Sequence, residues 1–287
     1  MIYNSIPSPP YNSFLIGSLT IHIYALCILF GIIVGLFFLN FLVKKYKPNL
    51  IDFEELLEMI CWVLPFSIIG ARLFHCLTIP DNYFSSPAKL INILKIWQGG
   101  LGIMGGVTFG VITAYIFAVK KSISLVTVLD LAAPCLLVAQ AIGRFGNYFN
   151  KELYGLPTTL PWGLKIDNSG ILYHPTFLYE AIWNCLGAVI LYLIIKKTFF
   201  KVREIKKQQQ LVKWQLVKGT IFNLYIIWYC FGRTFIELIR IDYSYQFYSW
   251  RINSLIACII CVLAIICLVV RQKSFLKKSN LASTPTA

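Results

Sequence analysis

LTIHIYALCILFGIIVGLFFLNFLV, residues 19–43, runs for twenty-five positions with no Asp, Glu, Lys or Arg. A helix that crosses the hydrocarbon of a bilayer needs about 20 consecutive, predominantly apolar residues. This stretch meets that length, and six more follow it at approximately 54–78, 101–119, 126–143, 176–195, 219–240 and 252–270. The second and sixth carry charges, so they read less simply as lipid-facing helices. The whole chain agrees with this reading. It is 58% hydrophobic and only 13% charged over 287 residues, with a mean hydropathy of +0.71. Soluble domains average about 45–50% apolar and about 25% charged residues. Such an excess of apolar side chains does not fit inside one core, so they face lipid. The predicted fold is all-α, a polytopic membrane protein of about seven spans around a polar cavity.

Charge sets the orientation. The formal net charge is +14, but the basic residues lie in short clusters between spans, a pattern that argues against a nucleic-acid partner. Lys44, Lys45 and Lys47, the pair Lys120 and Lys121, eight residues from Lys196 to Lys218 and four from Arg271 onward fall on one side of the membrane. Together they make seventeen of the twenty-six basic residues. Short loops rich in Lys and Arg stay in the cytoplasm, which predicts the N-terminus outside and the C-terminus inside. Residues 1–18, with Pro7, Pro9 and Pro10, read as an extended extracytoplasmic lead-in rather than a cleaved signal. The membrane domain covers 19–270, with outer loops at 79–100, 144–175 and 241–251. The basic segment 196–218 reads as a cytoplasmic loop or a helix on anionic headgroups, and the tail 271–287 as disordered. Nine cysteines sit singly and three histidines are scattered, so no metal site is expected and the thiols read as small core residues.

The densest polar motif is GRFGNYFNKELYG, residues 143–155. It follows an apolar helix, which places it near the outer boundary. Arg144, Asn147 and Glu152 supply a cation, an amide and a carboxylate, and Gly143, Gly146 and Gly155 allow tight turns or close backbone approach. An arginine offers a planar, permanently charged fork that suits phosphate; the plainer role is an interfacial Arg snorkelling to headgroups. In the sixth span, GRTFIELIR (232–240) sets Arg233, Glu237 and Arg240 at i, i+4 and i, i+3 intervals, on one helical face. A charge at the bilayer centre is unfavourable by about 2.5–3.5 kcal/mol on insertion scales, so this stripe faces a cavity or the bundle interior. It serves either as a structural ion-pair network or as a second cationic wall with Glu237 orienting Arg233. His22 and Tyr24 in the first span, Arg72 and His75 near the outer end of the second, and Glu180 in HPTFLYE (174–180) add intramembrane polar groups. Each of these taken singly is more often packing than chemistry.

GRFGNYFNKELYG, HPTFLYE and RTFIELIR, in this order on a chain of seven spans, resemble the prolipoprotein diacylglyceryl transferases, over about residues 22–240. The resemblance implies a bacterial plasma-membrane enzyme without a cofactor, its site towards the outer face. That family moves the diacylglyceryl group of phosphatidylglycerol onto the lipobox cysteine of a prolipoprotein, forming a thioether and releasing glycerol phosphate. By the same resemblance Arg144 binds the lipid headgroup, Asn147, Glu152 and Gly155 belong to its signature, Arg233 and Glu237 match the sixth-span pair, and Tyr24 matches a first-span tyrosine. Arg240, Arg72 and His22 are added as substrate-binding candidates. The sequence departs from the family at one place. Gln98–Gly106 reads QGGLGIMGG, with Met104 where many members carry a histidine that helps activate the thiol. Methionine accepts no proton, so the base is left open among Glu237, Glu152, His22, Tyr24 and direct stabilisation of the thiolate by arginine. The competing class is a transporter for an anionic substrate, since intramembrane charges often line substrate paths. No internal repeat is evident, however, and the polar clusters gather towards one side.

Overall fold

The computed structural model describes residues 5–17, 19–167, 169–208, 217–242, 246–248 and 250–281. It is mostly helical. Among the described residues there are seven long helices: α1 (Ile23–Tyr46), α2 (Phe53–Thr78), α3 (Ile103–Lys120), α4 (Leu125–Phe149), α5 (Thr176–Gln208), α6 (Thr220–Ile239) and α7 (Ile252–Leu281). Six of them are long and apolar enough to cross a membrane. The sixth helix, α6, is outside that set because its last turns hold Arg233 and Glu237. Among the described residues there are also three small antiparallel hairpins, one before α1 and two between helices: β1 (Ser13–Ile16) with β2 (Leu19–His22), β3 (Leu164–Lys165) with β4 (Leu172–Tyr173), and β5 (Gln246–Phe247) with β6 (Trp250–Arg251).

The helices present apolar side chains outward. Phe37, Leu193 and Ile266 are 58%, 53% and 52% exposed, which fits lipid as the solvent of these faces.

Two compact units divide the chain, one of residues 40–128 and one of 1–39 with 129–287. In the first, α2 and α3 pack through glycine. A Cβ on Gly105 would meet the carbonyl oxygen of Gly70 at 2.1 Å, and one on Gly70 would meet the Phe109 ring at 2.4 Å. Small residues of this kind let membrane helices approach closely. The N-terminus of α2 is closed by a capping box, in which Glu55 donates its N–H to Asp52 Oδ1 at 2.7 Å and Asp52 donates its own to Glu55 Oε2. Residues 79–100, expected as a loop, are wound into three 3-10 turns, Pro80–Asn82, Pro87–Leu94 and Ile96–Gln98.

In the second unit α1 lies on α4 at Gly31, where a Cβ would come within 2.7 Å of the Ala139 carbonyl. The carboxylate of Asp130 on α4 accepts the N–H groups of Gly219 at 2.6 Å and Phe222 at 2.9 Å, which caps α6. Asn223 and Ser254 tie α6 to α7 through the carbonyls of Ala264 and Thr234.

Several boundaries differ from the sequence reading. The first helix begins at Ile23, so His22 belongs to β2 opposite Ser13 rather than to a span. The fourth helix runs to Phe149, which places Arg144 and Asn147 on its last turns instead of in the loop 144–175. Helix α5 continues to Gln208, replacing the start of the basic loop 196–218, of which 209–216 lie outside the described residues. Helix α7 covers 271–281 of the tail expected to be disordered, and 282–287 are outside the described residues. The lead-in is extended and strapped down: Ile6 pairs with Leu164, and Tyr148 donates its hydroxyl to the carbonyl of Pro7. Of the cysteines, Cys76, Cys135, Cys230 and Cys261 are buried as expected, while Cys61, Cys185, Cys258 and Cys267 lie exposed on outward faces.

Candidate functional site

The site is assembled around two buried carboxylates. Glu180, in the first turns of α5, receives Arg144 Nε at 2.5 Å on one oxygen and Arg233 Nη1 at 3.3 Å on the other. Arg240 Nη1 stands 3.9 Å from the same group. Glu237, fully buried, holds Arg233 Nη2 at 2.9 Å, Arg240 Nη1 at 3.5 Å and Arg251 Nε at 3.1 Å. Asp242 completes the chain of pairs with Arg240 Nε at 2.7 Å and Arg251 Nη2 at 3.2 Å. Helical spacing explains part of this, because Arg233, Glu237 and Arg240 share a face of α6. The rest comes from tertiary structure: α4 brings Arg144, α5 brings Glu180, and β6 brings Arg251.

The four arginines differ in how they are held. Arg240 and Arg251 are scaffold. Arg240 has 3% of its side chain exposed, and Arg251 spends its remaining donors on the carbonyls of Arg240 and Asp242 at 2.6 and 2.8 Å. Arg144 and Arg233 keep 18% and 19% of their side chains exposed. Among the described residues, Nη2 of Arg144 and Nε of Arg233 have no acceptor. Four guanidinium groups meet three carboxylates directly, and a fourth carboxylate, Glu152, is reached from Arg144 through Asn147.

The signature residues line up beside Arg144. Its Nη1 donates to Asn147 Oδ1 at 3.4 Å, and the Asn147 amide donates to Glu152 Oε1 at 2.9 Å. Asn150 approaches the same oxygen at 3.4 Å. The turn that aims Glu152 back contains two non-glycine residues with positive φ, Lys151 at 53° and Leu153 at 58°, a conformation that needs its surroundings to enforce it. Thr176 does so by donating its hydroxyl to the Leu153 carbonyl. Tyr24 lies against Gly146, where a Cβ would sit 2.6 Å from its ring. Gly155 contributes backbone only. It bridges to Arg240 and donates its N–H to the His174 carbonyl at 2.9 Å, and a Cβ there would meet the Ile239 carbonyl at 2.9 Å.

Two candidates have other partners. Arg72 belongs to the 40–128 unit, and its guanidinium is given to the carbonyls of Asn92, Ile93, Lys95, Gly99 and Gly100 while it stacks over Tyr83. It clamps the 92–100 segment. His22 ends the β1–β2 hairpin, and among the described residues no hydrogen bond or ion pair joins it to the arginine network.

The sequence reading missed three members of the network as site residues: Glu180, Arg251 and Asp242. Glu180 carried a signal, a carboxylate one turn inside an apolar helix. Arg251 and Asp242 carried none, since their partners are not fixed by helical periodicity.

These features define a multi-pass membrane protein with an arginine- and carboxylate-lined candidate site at the ends of four of its elements. A sequence model of the family described as prolipoprotein diacylglyceryl transferase matches residues 12–270. The chain belongs to that family. It is 39% identical to the phosphatidylglycerol–prolipoprotein diacylglyceryl transferase of Bifidobacterium adolescentis, over 93% of this chain and 80% of that protein. Its likeness to the enzyme of the same name from Cutibacterium acnes is also 39%, covering 98% and 91%. For the Streptomyces griseus protein of that name it is 36%, covering 93% and 78%.

Proposed function

We propose that this chain transfers the diacylglyceryl group of phosphatidylglycerol to the lipobox cysteine thiol of prolipoproteins, the first step of lipoprotein maturation. The observation that carries the reading is the sharing of Glu180 by Arg144 and Arg233. One carboxylate holds two partly open guanidinium groups, from α4 and α6, against each other. Their remaining donors suit the non-bridging oxygens of one phosphodiester.

The thiolate sulfur attacks the glyceryl carbon, a C–S bond forms, and the C–O bond to phosphorus breaks. Glycerol phosphate departs with the electron pair, and the thiol proton is released. Arg144 and Arg233 face the charge that develops on the leaving phosphate, where preorganised donors act most strongly. The partly exposed guanidinium groups of Arg144 and Arg233 also favour thiolate over thiol, which supplies part of what a histidine at position 104 would do. Tyr24, Asn147 and Glu152 border Arg144 and keep its fork turned to the lipid. Arg240, with Gly155 against its backbone, holds Glu237 in place.

The same reading places the chain in the bacterial plasma membrane with seven spans, α6 included. The N-terminus is outside, the C-terminus is cytoplasmic and the site lies towards the outer face.

The test is incubation of purified protein with phosphatidylglycerol and a lipobox peptide. Thioether-linked product is expected from the wild type, and Arg144→Ala or Arg233→Ala should lower its rate by about 10²–10³-fold, as for other lost oxyanion donors. Full activity in either variant removes that residue from the mechanism. Flux of an anionic solute into liposomes without product would replace the enzyme by a transporter.

A further inference from the structure

Helices α5 and α6 meet through a reciprocal pair of tryptophans. Trp183 Nε1 donates to the carbonyl of Trp228 at 3.1 Å, and Trp228 Nε1 donates to the carbonyl of Trp183 at 3.0 Å. The two indoles stack with centroids 4.2 Å apart and planes 14° from parallel. Each ring also fills the space of a glycine on the opposite helix. A Cβ on Gly187 would lie 2.3 Å from Trp228 Nε1, and one on Gly232 would lie 2.1 Å from Trp183 Nε1. The pattern is the same on both helices, tryptophan followed four residues later by glycine. Residues four apart share a helical face, so each helix offers one knob and one notch to its antiparallel neighbour.

The position of this lock matters. Glu180 is one turn before Trp183, and Arg233 follows Gly232 directly. Between Trp183 and the Arg233–Glu180 pair lies a cavity of only about 10 Å3, walled by Glu180, Trp183, Tyr229, Gly232 and Arg233 among others. That is room for about one water molecule, so the α5–α6 spacing leaves little slack.

We infer that the Trp183–Gly232 and Trp228–Gly187 contacts are a positioning device. They set the register of α5 on α6 and thereby hold Glu180 beneath Arg233 at the spacing the lipid phosphate requires. The inference rests on the proposed transferase reading and assigns these four residues no contact with substrate. In a close-packed contact a shift of one helix propagates directly to the next turn. A displacement of about 1 Å at a reacting site can lower a rate by about 100-fold.

The experiment uses the full chain reconstituted in phosphatidylglycerol nanodiscs. Gly232→Ala and Gly187→Ala should each lower kcat for diacylglyceryl transfer by about 10–100-fold, with KM for the lipobox peptide nearly unchanged. Trimming the ring that meets the new methyl should restore rate, so Gly232→Ala with Trp183→Phe recovers and Gly232→Ala with Trp228→Phe does not. The mirror pattern is expected for Gly187→Ala. Where a glycine variant fails to insert, Trp183→Phe and Trp228→Phe alone serve. Each should remove the near-ultraviolet circular dichroism of the coupled indoles and lower kcat. Full kcat in both glycine variants, rescue without regard to which indole is trimmed, or full kcat in both tryptophan variants would overturn the inference. A wild-type chain that transfers nothing would instead overturn the proposed function, which the first measurement of the series decides.

Discussion

At the scale of single residues, the four arginines divide into those that hold and those that reach. Arg240 is buried among Glu180, Glu237 and Asp242, while Arg144, held by Glu180 and Asn147, keeps one partly exposed edge of its guanidinium open. Their removal should therefore read differently. Arg240→Ala removes one of the three arginines around the fully buried Glu237 and one of the two at Asp242, and breaking a buried pair is unfavourable by up to about 3–5 kcal/mol. Its thermal unfolding in detergent should fall well below that of Arg144→Ala, although both lose transfer activity. Glu180→Gln belongs with Arg240→Ala, because it leaves three guanidinium groups around an amide that neutralises none of them. Equal melting temperatures for Arg144→Ala and Arg240→Ala would refute the division. The difference between holding and reaching residues was only partly legible in the sequence. Arg233, Glu237 and Arg240 announced themselves by helical spacing in an apolar segment. Glu180 pairs with residues 36 and 53 positions away, Arg144 and Arg233, and no periodicity carries information over such separations.

At the scale of elements, α6 is the helix on which the site depends. One end carries the arginines, and the other is fastened by Asp130, whose carboxylate accepts from Gly219 and Phe222. Arg271 of α7 donates to the Lys218 carbonyl at that same end. An N-cap of this kind contributes about 0.5–2 kcal/mol. Asp130→Ala should lower stability by that amount, seen in thermal unfolding, and should leave KM for the lipobox peptide unchanged, since Asp130 belongs to the far end of α6. A raised KM with an unaltered melting temperature would show that the two ends are coupled through something other than the cap. The helices themselves were visible in the sequence because long apolar runs have few alternatives in a bilayer. Their ends were less visible. Phe145, Tyr148 and Phe149 keep α4 helical through the polar motif by packing on one another and on Phe177. The hairpin β1–β2 takes Leu19–His22, which hydropathy alone assigns to the span.

At the scale of the whole molecule, the distribution of basic residues makes a claim about sidedness. Seventeen of twenty-six lie towards the C-terminal ends of α1, α3, α5 and α7 or in the segments that follow them, and the site residues lie at the opposite ends of α4, α5 and α6. A polar cluster at one end of a span and a basic cluster at the other fit one orientation, because Lys- and Arg-rich short loops are retained on the cytoplasmic side. Arg233, Glu237 and Arg240 near the end of α6 strengthen the case for α6 as a span. A helix that left them at mid-bilayer would incur about 2.5–3.5 kcal/mol for each charge on insertion scales, whereas here they sit among counter-charges near its exit. A periplasm-dependent reporter such as alkaline phosphatase, joined after Asp167, should be active. A cytoplasm-dependent reporter such as green fluorescent protein, joined after Lys218, should be fluorescent. The opposite pair of results would invert the topology and place the arginine network on the cytoplasmic face. A prolipoprotein emerging outside the membrane could not then reach it, and the transferase reading would fail with the orientation.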